Sequence, residues 1–258
     1  MIVGAYQFAV TGNIQQNYNT IHNAIIETSR QDVRLLIFSE CALTGYPPRD
    51  IETSADVDYE ELAEACRKIQ SLAKEYDMYV LVGMITKEDG KHFNSAMLFS
   101  PNEEYHRYDK RALYGWDSDN FTTGSKSGIF KVDDIKIGVR ICFEVRFPEY
   151  FRELFEEQTA LNIIMFYDVA DKDDIERYEM IKAHIKTRAV ENVTYTLTVN
   201  SIHPYQTAPT GIYNKSGYTM KELVRNKEGL LVFNFCNSED DFGEKGRRLI
   251  SNQLIVKF

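Results

Sequence analysis

The sequence predicts a protein of the α/β or α+β class, with several sheet strands and about four helices layered outside them. Two observations lead to this prediction. Short apolar runs typical of buried strands recur along the chain, and longer stretches with apolar residues at helical spacing lie between them. Residues 1–258 contain no repeat, low-complexity segment or Pro/Gly/Ser-rich linker, and we therefore expect a single domain.

The first half of the chain alternates between strand and helix patterns. The apolar residues Ile14, Ile21 and Ile25 recur one or two helical turns apart and predict a helix. The dipeptide Asp89-Gly90 between two β-prone runs is a strong hairpin signal. In chain order, we predict a strand over Ile2–Val10, a helix over Ile14–Ser29, a strand over Val33–Phe38, a helix over Tyr59–Glu75, and paired strands over Tyr79–Thr86 and His92–Phe99.

The second half repeats this pattern after a polar, turn-rich loop over Lys110–Lys126. Pro148 suits the first turn of a helix, where its missing N–H costs little. The acid-rich run Asp168–Glu176 lacks the spacing and central glycine of a calcium loop, and the dipole at a helix start explains its acids better. In chain order, we predict a strand over Ile135–Cys142, a helix over Arg146–Phe155, a strand over Leu161–Tyr167, a helix over Asp173–Asn192, a strand over Thr194–Asn200, and shorter strands to about Phe235.

Composition and charge exclude several classes of function. The 30 Lys+Arg against 39 Asp+Glu give a net charge of −9, which argues against general nucleic-acid binding. The apolar runs are too short to cross a membrane, and the N-terminus lacks the features of an export signal, so we expect a cytoplasmic protein. The four cysteines are scattered without metal-ligand spacing, so we expect free thiols and no metal site.

Three residues at predicted strand ends could carry chemistry together. Glu40, Lys110 and Cys142 each end a β-rich run and open a loop, where ligand sites of layered α/β proteins gather. A thiol could serve as nucleophile, a carboxylate as its general base and an ammonium as oxyanion stabiliser, without histidine or metal. Taken singly, each has a simpler interpretation: a small buried hydrophobe for the cysteine and solvated charges for the other two.

The sequence around all three residues resembles the nitrilase (carbon–nitrogen hydrolase) superfamily. The segments SECALTGYPP, YDKRAL and ICFEVRFPE occur in the family's order and with similar spacing, each centred on the residue type that the chemistry needs. Weaker similarity continues through HIKTRAVENVTYTLTVN and through Thr210–Gly217, where Lys215-Ser216 departs from the family pattern. The resemblance covers nearly the whole chain.

This resemblance implies a four-layer α-β-β-α sandwich, usually paired into a homodimer, and a mechanism without a cofactor. Glu40 would take the thiol proton of Cys142, which would attack an amide carbonyl. Lys110 and the backbone N–H near Phe143 would hold the oxyanion. Departure of ammonia would leave a thioester, which water activated through Glu40 would hydrolyse.

The loop after the lysine departs from the pattern that many family members show. These carry a second glutamate a few residues before an F-x-x-G segment, which is Phe121–Gly124 here, and the best candidate upstream is the shorter Asp117. Either the loop moves inward or the auxiliary acid is altered.

Three further residues are candidates for binding the substrate: Tyr46, Arg146 and Tyr167. Arg146, four residues past Cys142, could hold a substrate carboxylate, which would make ω-amide acids attractive substrates. A salt bridge from Arg146 to Glu149 or Glu153 is equally plausible.

The sequence thus favours an amidase that converts a small linear amide to acid and ammonia. N-carbamoyl amino acid or amine hydrolysis and nitrile hydrolysis are close alternatives. A non-catalytic binding or scaffold protein that keeps the fold is an alternative of another class, with Asp117 in its favour and the intact Glu40, Lys110 and Cys142 against it.

Overall fold

The computed structural model describes residues 1–102 and 105–255. The first part of the chain holds β1 (Ile2–Gln7), α1 (Ile14–Ser29), β2 (Leu35–Ile37), α2 (Tyr59–Glu75), β3 (Tyr79–Glu88), β4 (Lys91–Phe99), β5 (Tyr105–Asp109) and α3 (Trp116–Asn120). The remainder holds β6 (Ile129–Val132), β7 (Ile135–Ile141), α4 (Pro148–Glu156), β8 (Leu161–Phe166), β9 (Val169–Ala170), α5 (Ile175–Glu191), β10 (Tyr195–Asn200), β11 (Tyr205–Gln206), β12 (Gly211–Tyr213), β13 (Thr219–Glu222), β14 (Gly229–Asn234) and α6 (Phe242–Ile255). Short 3₁₀ turns lie at Ser54–Asp56 and Cys142–Arg146.

The strands form two six-stranded mixed sheets. The first has the order β14-β1-β2-β3-β4-β5, with β1, β2 and β3 parallel. The second has the order β13-β12-β10-β8-β7-β6, with β7, β8 and β10 parallel. The short strands β9 and β11 pair separately. In both sheets the parallel strands are central, so their carboxyl ends open together at one edge, where loops can build a site.

Three hydrophobic cores separate four layers. Side chains alternate along each strand, so Leu36 of β2 packs with α1 and α2 while its neighbour Leu35 enters the core between the sheets. Likewise, Ile163 of β8 faces the core between the sheets, and Ile164 packs against α4 and α5. The result is the α-β-β-α sandwich that the family resemblance implies.

Most predicted elements are present with shifted ends. The Asp89-Gly90 hairpin is confirmed, and both residues have the positive φ that a tight primed turn requires. Asp174 caps α5 by accepting a hydrogen bond from the backbone of Arg177, which supports the interpretation of the acid-rich run as a helix start. The predicted strand over Ile135–Cys142 ends one residue early, because the chain turns at Cys142.

The expected number of about four helices is too low, since the described residues contain six. The predicted loop over Lys110–Lys126 includes the five-residue helix α3. Helix α6 buries only Glu244 and exposes Leu249, Ile250 and Leu254. A single domain over 1–258 stays a prediction. Among residues 1–102 and 105–255, no helix has the length and apolarity needed to cross a bilayer.

Candidate active site

Loops from both sheets meet around one cavity of about 440 Å³. Glu40 lies just beyond β2, Lys110 follows β5, and Cys142 follows β7. Lys110 and Cys142 both line the cavity, and Glu40 is buried beside them. The structure thus brings these three residues together. The four other candidates from the sequence line the same cavity: Tyr46, Asp117, Arg146 and Tyr167.

The turn that carries Glu40 lies directly on strand β3. Phe38 N donates to Leu81 O at 2.9 Å, and Leu43 N donates to Gly83 O at 3.0 Å. Gly83 permits this approach, since a Cβ there would lie 2.2 Å from Ser39 O. The absence of a side chain at residue 83 therefore fixes the depth at which the Glu40 turn sits.

The Glu40 carboxylate is buried and accepts three hydrogen bonds. Oε1 accepts from Lys110 Nζ at 2.8 Å and from Asn94 Nδ2 at 2.7 Å. Oε2 accepts from the backbone N–H of Tyr167 at 2.7 Å. Burial raises the pKa of Glu40 against the opposing charge of Lys110, and the charge of Asp117 raises it further. The carboxylate is therefore a stronger base than an ordinary glutamate.

The Lys110 ammonium lies between two carboxylates. Its Nζ is 2.8 Å from Glu40 Oε1 and 2.6 Å from Asp117 Oδ2. Burial alone would lower the pKa of Lys110, but the negative charges of Glu40 and Asp117 hold it well above its ordinary value. Lys110 therefore stays positively charged in the buried site.

Asp117 reaches Lys110 although its side chain is one methylene shorter than glutamate. Helix α3 carries the carboxylate inward, and its second oxygen, Oδ1, accepts from the hydroxyl of Tyr46 at 2.8 Å. The shorter side chain thus still contacts the lysine, at 2.6 Å. The site thus contains a second buried carboxylate in contact with the lysine.

Cys142 begins the 3₁₀ turn in a left-handed backbone conformation, with φ at 45°. This turn points away from the extended path of β7 and presents the residue to the cavity. Burial raises the pKa of the Cys142 thiol well above its usual range, and the charge of Glu40 raises it further, while Lys110 lowers it. The resting group is therefore a thiol that needs a base before it can attack.

Residues 2–232 match the family model of the carbon–nitrogen hydrolases. The chain belongs to this family. It is a hydrolase acting on carbon–nitrogen bonds, and its resemblance to the amidase-like branch of the nitrilase superfamily is confirmed.

The hydrolase has relatives of several specificities. It is 26% identical to a nitrilase of Pyrococcus abyssi, with 72% of this chain and 69% of that protein aligned. It is also 26% identical to a deaminated glutathione amidase of a Synechocystis strain, over 76% of this chain and 75% of the relative. Its fold matches that of an amidase from Nesterenkonia sp. with a TM-score of 0.81 at 21% identity, covering 99% of this chain and 96% of that one.

Glu144 holds the nucleophile turn of the hydrolase to the lysine segment. Its Oε2 accepts from Ile141 N at 2.7 Å, just before the cysteine. Its Oε1 accepts from Tyr108 OH at 2.6 Å and from Arg111 N at 2.8 Å, on either side of Lys110. The sequence motif contains Glu144 but gives it no role, because two of its three partners, Tyr108 and Arg111, lie 36 and 33 residues away.

Two tyrosines form one wall of the cavity. The rings of Tyr46 and Tyr167 stack with centroids 4.9 Å apart and planes inclined by 15°. The backbone N–H of Tyr167 is already bonded to Glu40, so the ring position is tied to the buried carboxylate. The stack offers an apolar surface beside the polar Lys110 and Asp117.

Arg146 lines the cavity without a carboxylate partner among residues 1–102 and 105–255. Its guanidinium carbon lies 5.7 Å from the ring centroid of Phe143. The described structure shows no salt bridge from Arg146 to Glu149 or Glu153, and Glu153 instead pairs with Arg140 at 2.9 Å and with Arg111. The described side chains contain no group of three or more His, Cys, Asp or Glu that could hold a metal ion.

Proposed function

We propose that this hydrolase is a thiol-dependent amidase that converts a small linear amide to acid and ammonia through a thioester on Cys142. The observation that carries the proposal is the buried array of Glu40, Lys110 and Asp117 beside a cysteine in one cavity. A base, a cation and a nucleophile therefore occur in one cavity, and the steps below need no cofactor.

Attack begins with proton transfer from the Cys142 thiol to Glu40. Burial raises the pKa of Glu40, which makes this carboxylate a stronger acceptor for the proton, and the charge of Lys110 lowers the pKa of the Cys142 thiol. The sulfur then forms a bond to the amide carbonyl carbon. Lys110 and the backbone N–H of Phe143 hold the negative charge that develops on the carbonyl oxygen.

Collapse of this intermediate breaks the carbon–nitrogen bond. Glu40 returns its proton to the departing nitrogen, ammonia leaves, and the acyl group remains on Cys142. A water then gives a proton to Glu40 and attacks the thioester, and the sulfur leaves with that proton. The balance is one amide and one water to one acid and one ammonia.

Asp117 serves as the auxiliary acid of this site. If Lys110 were paired only with Glu40, its ammonium would occupy the oxygen lone pairs that Glu40 needs to accept a proton. Asp117 takes part of the positive charge of Lys110 and so leaves Glu40 more basic. The hydroxyl of Tyr46 holds Asp117 in that position.

Acids with a terminal amide are the favoured substrates. Arg146 lines the cavity with its charge unpaired in the described structure, and a guanidinium suits a carboxylate. Among the relatives is an omega-amidase of Xenopus tropicalis, 22% identical over 75% of this chain. We extend that activity to this hydrolase as part of the proposal; a homodimer and a cytoplasmic location stay predictions.

Ammonia release from small amides, ω-amide acids and carbamoyl amino acids tests this function, with Cys142→Ala as the inactive control. We expect release from ω-amide acids that vanishes in the variant. Arg146→Ala should raise KM for amides with a carboxylate and spare neutral ones, and equal loss on both would refute its role.

Product analysis separates the alternatives. Carbon dioxide with ammonia would indicate a carbamoyl substrate, and turnover of nitriles a nitrilase. A trapped acyl adduct on Cys142 would eliminate a non-catalytic scaffold, whereas no adduct and no release across the panel would refute the amidase.

A further inference from the structure

Asp168 lies at the floor of the same cavity, directly after Tyr167. Its backbone is fixed on both sides, since Asp168 N donates to Asn200 Oδ1 at 3.0 Å and Thr207 N donates to Asp168 O at 2.9 Å. The side chain is buried, and the residue lines the cavity together with Cys142. An acid so placed has a fixed position relative to the nucleophile.

Only one oxygen of this carboxylate has partners among residues 1–102 and 105–255. Oδ1 accepts from Arg177 Nε at 3.0 Å, from Arg177 Nη2 at 2.8 Å and from Thr207 Oγ1 at 2.5 Å. Both arginine nitrogens bond to the same oxygen, so this is not the fork in which a guanidinium occupies a whole carboxylate. Oδ2 accepts no hydrogen bond there, and it is not sealed from the cavity. Its lone pairs are open to a ligand.

The other acids around the cavity have partners of their own. Asp117 bonds to Lys110, Asp171 pairs with Arg49 at 2.7 Å, and Asp174 caps helix α5. In the described part of the chain, the cavity thus presents a guanidinium without a carboxylate partner, that of Arg146, and a carboxylate oxygen without a hydrogen bond, Oδ2 of Asp168, whose other oxygen is paired with Arg177. A ligand that carries an anion and a cation matches both.

We propose that Asp168 binds a protonated amine of the substrate, and that the preferred substrates are amino acids whose side chain ends in a carboxamide. Their carboxylate lies against Arg146 and their ammonium against Asp168 Oδ2, with the amide at Cys142. This assignment rests on the proposed amidase function and narrows its substrate class to zwitterions.

The position of Asp168 also links amine binding to the nucleophile. Its negative charge is among the causes that raise the pKa of the Cys142 thiol. An ammonium bound at Oδ2 offsets that charge and makes thiolate formation easier. A substrate without the amine lacks this assistance.

Two pairs of compounds isolate the amine, because the members of each pair differ only in that group: L-glutamine with glutaramic acid, and L-asparagine with succinamic acid. Ammonia release gives kcat/KM for each. We expect the wild type to favour the amine-bearing member about tenfold or more, as for a charge-assisted hydrogen bond. Asp168→Asn should lose that preference, and its kcat/KM for the other member should not fall, because loss of the Asp168 charge also makes thiolate formation at Cys142 easier.

Two matched variants separate recognition from structure. Arg177→Met removes the ion pair but keeps the Asp168 carboxylate, and Asp171→Asn removes an exposed charge of the same cavity. Both should keep the preference for the amine. Equal loss on both compounds in Asp168→Asn, or loss of preference in Arg177→Met, would overturn the assignment in favour of a structural role for the ion pair.

Calorimetric binding to Cys142→Ala, which cannot turn over, distinguishes this inference from the proposed function. Tighter binding of the amine-bearing compound that is lost in Cys142→Ala/Asp168→Asn, without ammonia release by the wild type, would support amine binding at Asp168 and overturn the amidase. Release without preference for the amine would do the reverse. If none of the four compounds is bound or turned over, the assignment is overturned.

Discussion

Replacing Gly83 by alanine should displace the catalytic base without touching a catalytic side chain. The new Cβ would lie 2.2 Å from Ser39 O and 2.7 Å from Glu40 Cα. Since Cβ atoms essentially never approach closer than 3.0 Å, the Glu40 turn or strand β3 must shift by about 0.8 Å to relieve the contact with Ser39 O. The obstacle is backbone on both sides, so no side-chain rotation relieves it.

A shift of this size acts on catalysis more than on folding. Displacement by about 1 Å costs on the order of 100-fold in rate when it misaligns reacting groups. Overpacking a core position costs about 1–3 kcal/mol of the free energy of unfolding. We therefore expect Gly83→Ala to fold, to melt a few degrees lower, and to lose about 100-fold in kcat/KM.

Steady-state ammonia release and thermal unfolding, measured on the same preparations, give both quantities. Gly246→Ala is the matched control, because it makes the same change in helix α6, where no atom lies within 4 Å of the new Cβ. The control should keep its activity and should melt no lower than wild type, because alanine favours a helix more than glycine does. A folded Gly83→Ala with activity within about threefold of wild type would refute the claim that the depth of this turn sets the position of Glu40.

Three further predictions follow from the charges of the structure. Asp117→Asn should move the acid limb of the kcat/KM profile to lower pH, because the charge of Asp117 raises the pKa of Glu40, and the base is lost when Glu40 is protonated. Glu144→Gln should lower the free energy of unfolding by about 1–3 kcal/mol and the activity about tenfold or more, because it disrupts three hydrogen bonds to a buried carboxylate. Asp240→Asn should remove a stabilisation of helix α6 that is present above about pH 4 and lost toward pH 2, since bonds from Arg248 lower the pKa of Asp240 to about 2.

Each of these changes has a control and a contrary result. Asp119→Asn, in the same helix as Asp117, should leave the pH profile unchanged. If the acid limb does not move in Asp117→Asn, protonation of Glu40 is not its cause. Denaturant unfolding of Glu149→Gln should match wild type, and equal stability of Glu144→Gln would show that its bonds are replaceable. At neutral pH, the amides of α6 should exchange faster in Asp240→Asn than in Glu239→Gln. Identical exchange in the two variants would show that the ion pair does not stabilise the helix.

The sequence by itself determined a layered protein of strands and helices, and its family motifs implied the four-layer order and the residue types of the candidate site. Apolar runs and helical spacing report which segments are buried, because burial is a local property of the pattern. The opposite faces that Leu35 and Leu36 occupy are known from the structure. The motifs around Glu40, Lys110 and Cys142 locate the chemistry for the same reason, since each occupies one short segment at a strand end.

Only the tertiary structure decided how these residues contact one another. The carboxylate of Glu40 receives bonds from residues 54, 70 and 127 positions away, and no local pattern encodes contacts at that separation. Helix α3 is too short to give a periodic pattern, yet it brings Asp117 to the lysine. The unpaired guanidinium of Arg146 and the pairing of Asp168 with Arg177 are likewise visible only after the neighbours have been placed, because a charge is free or paired according to what the fold puts beside it.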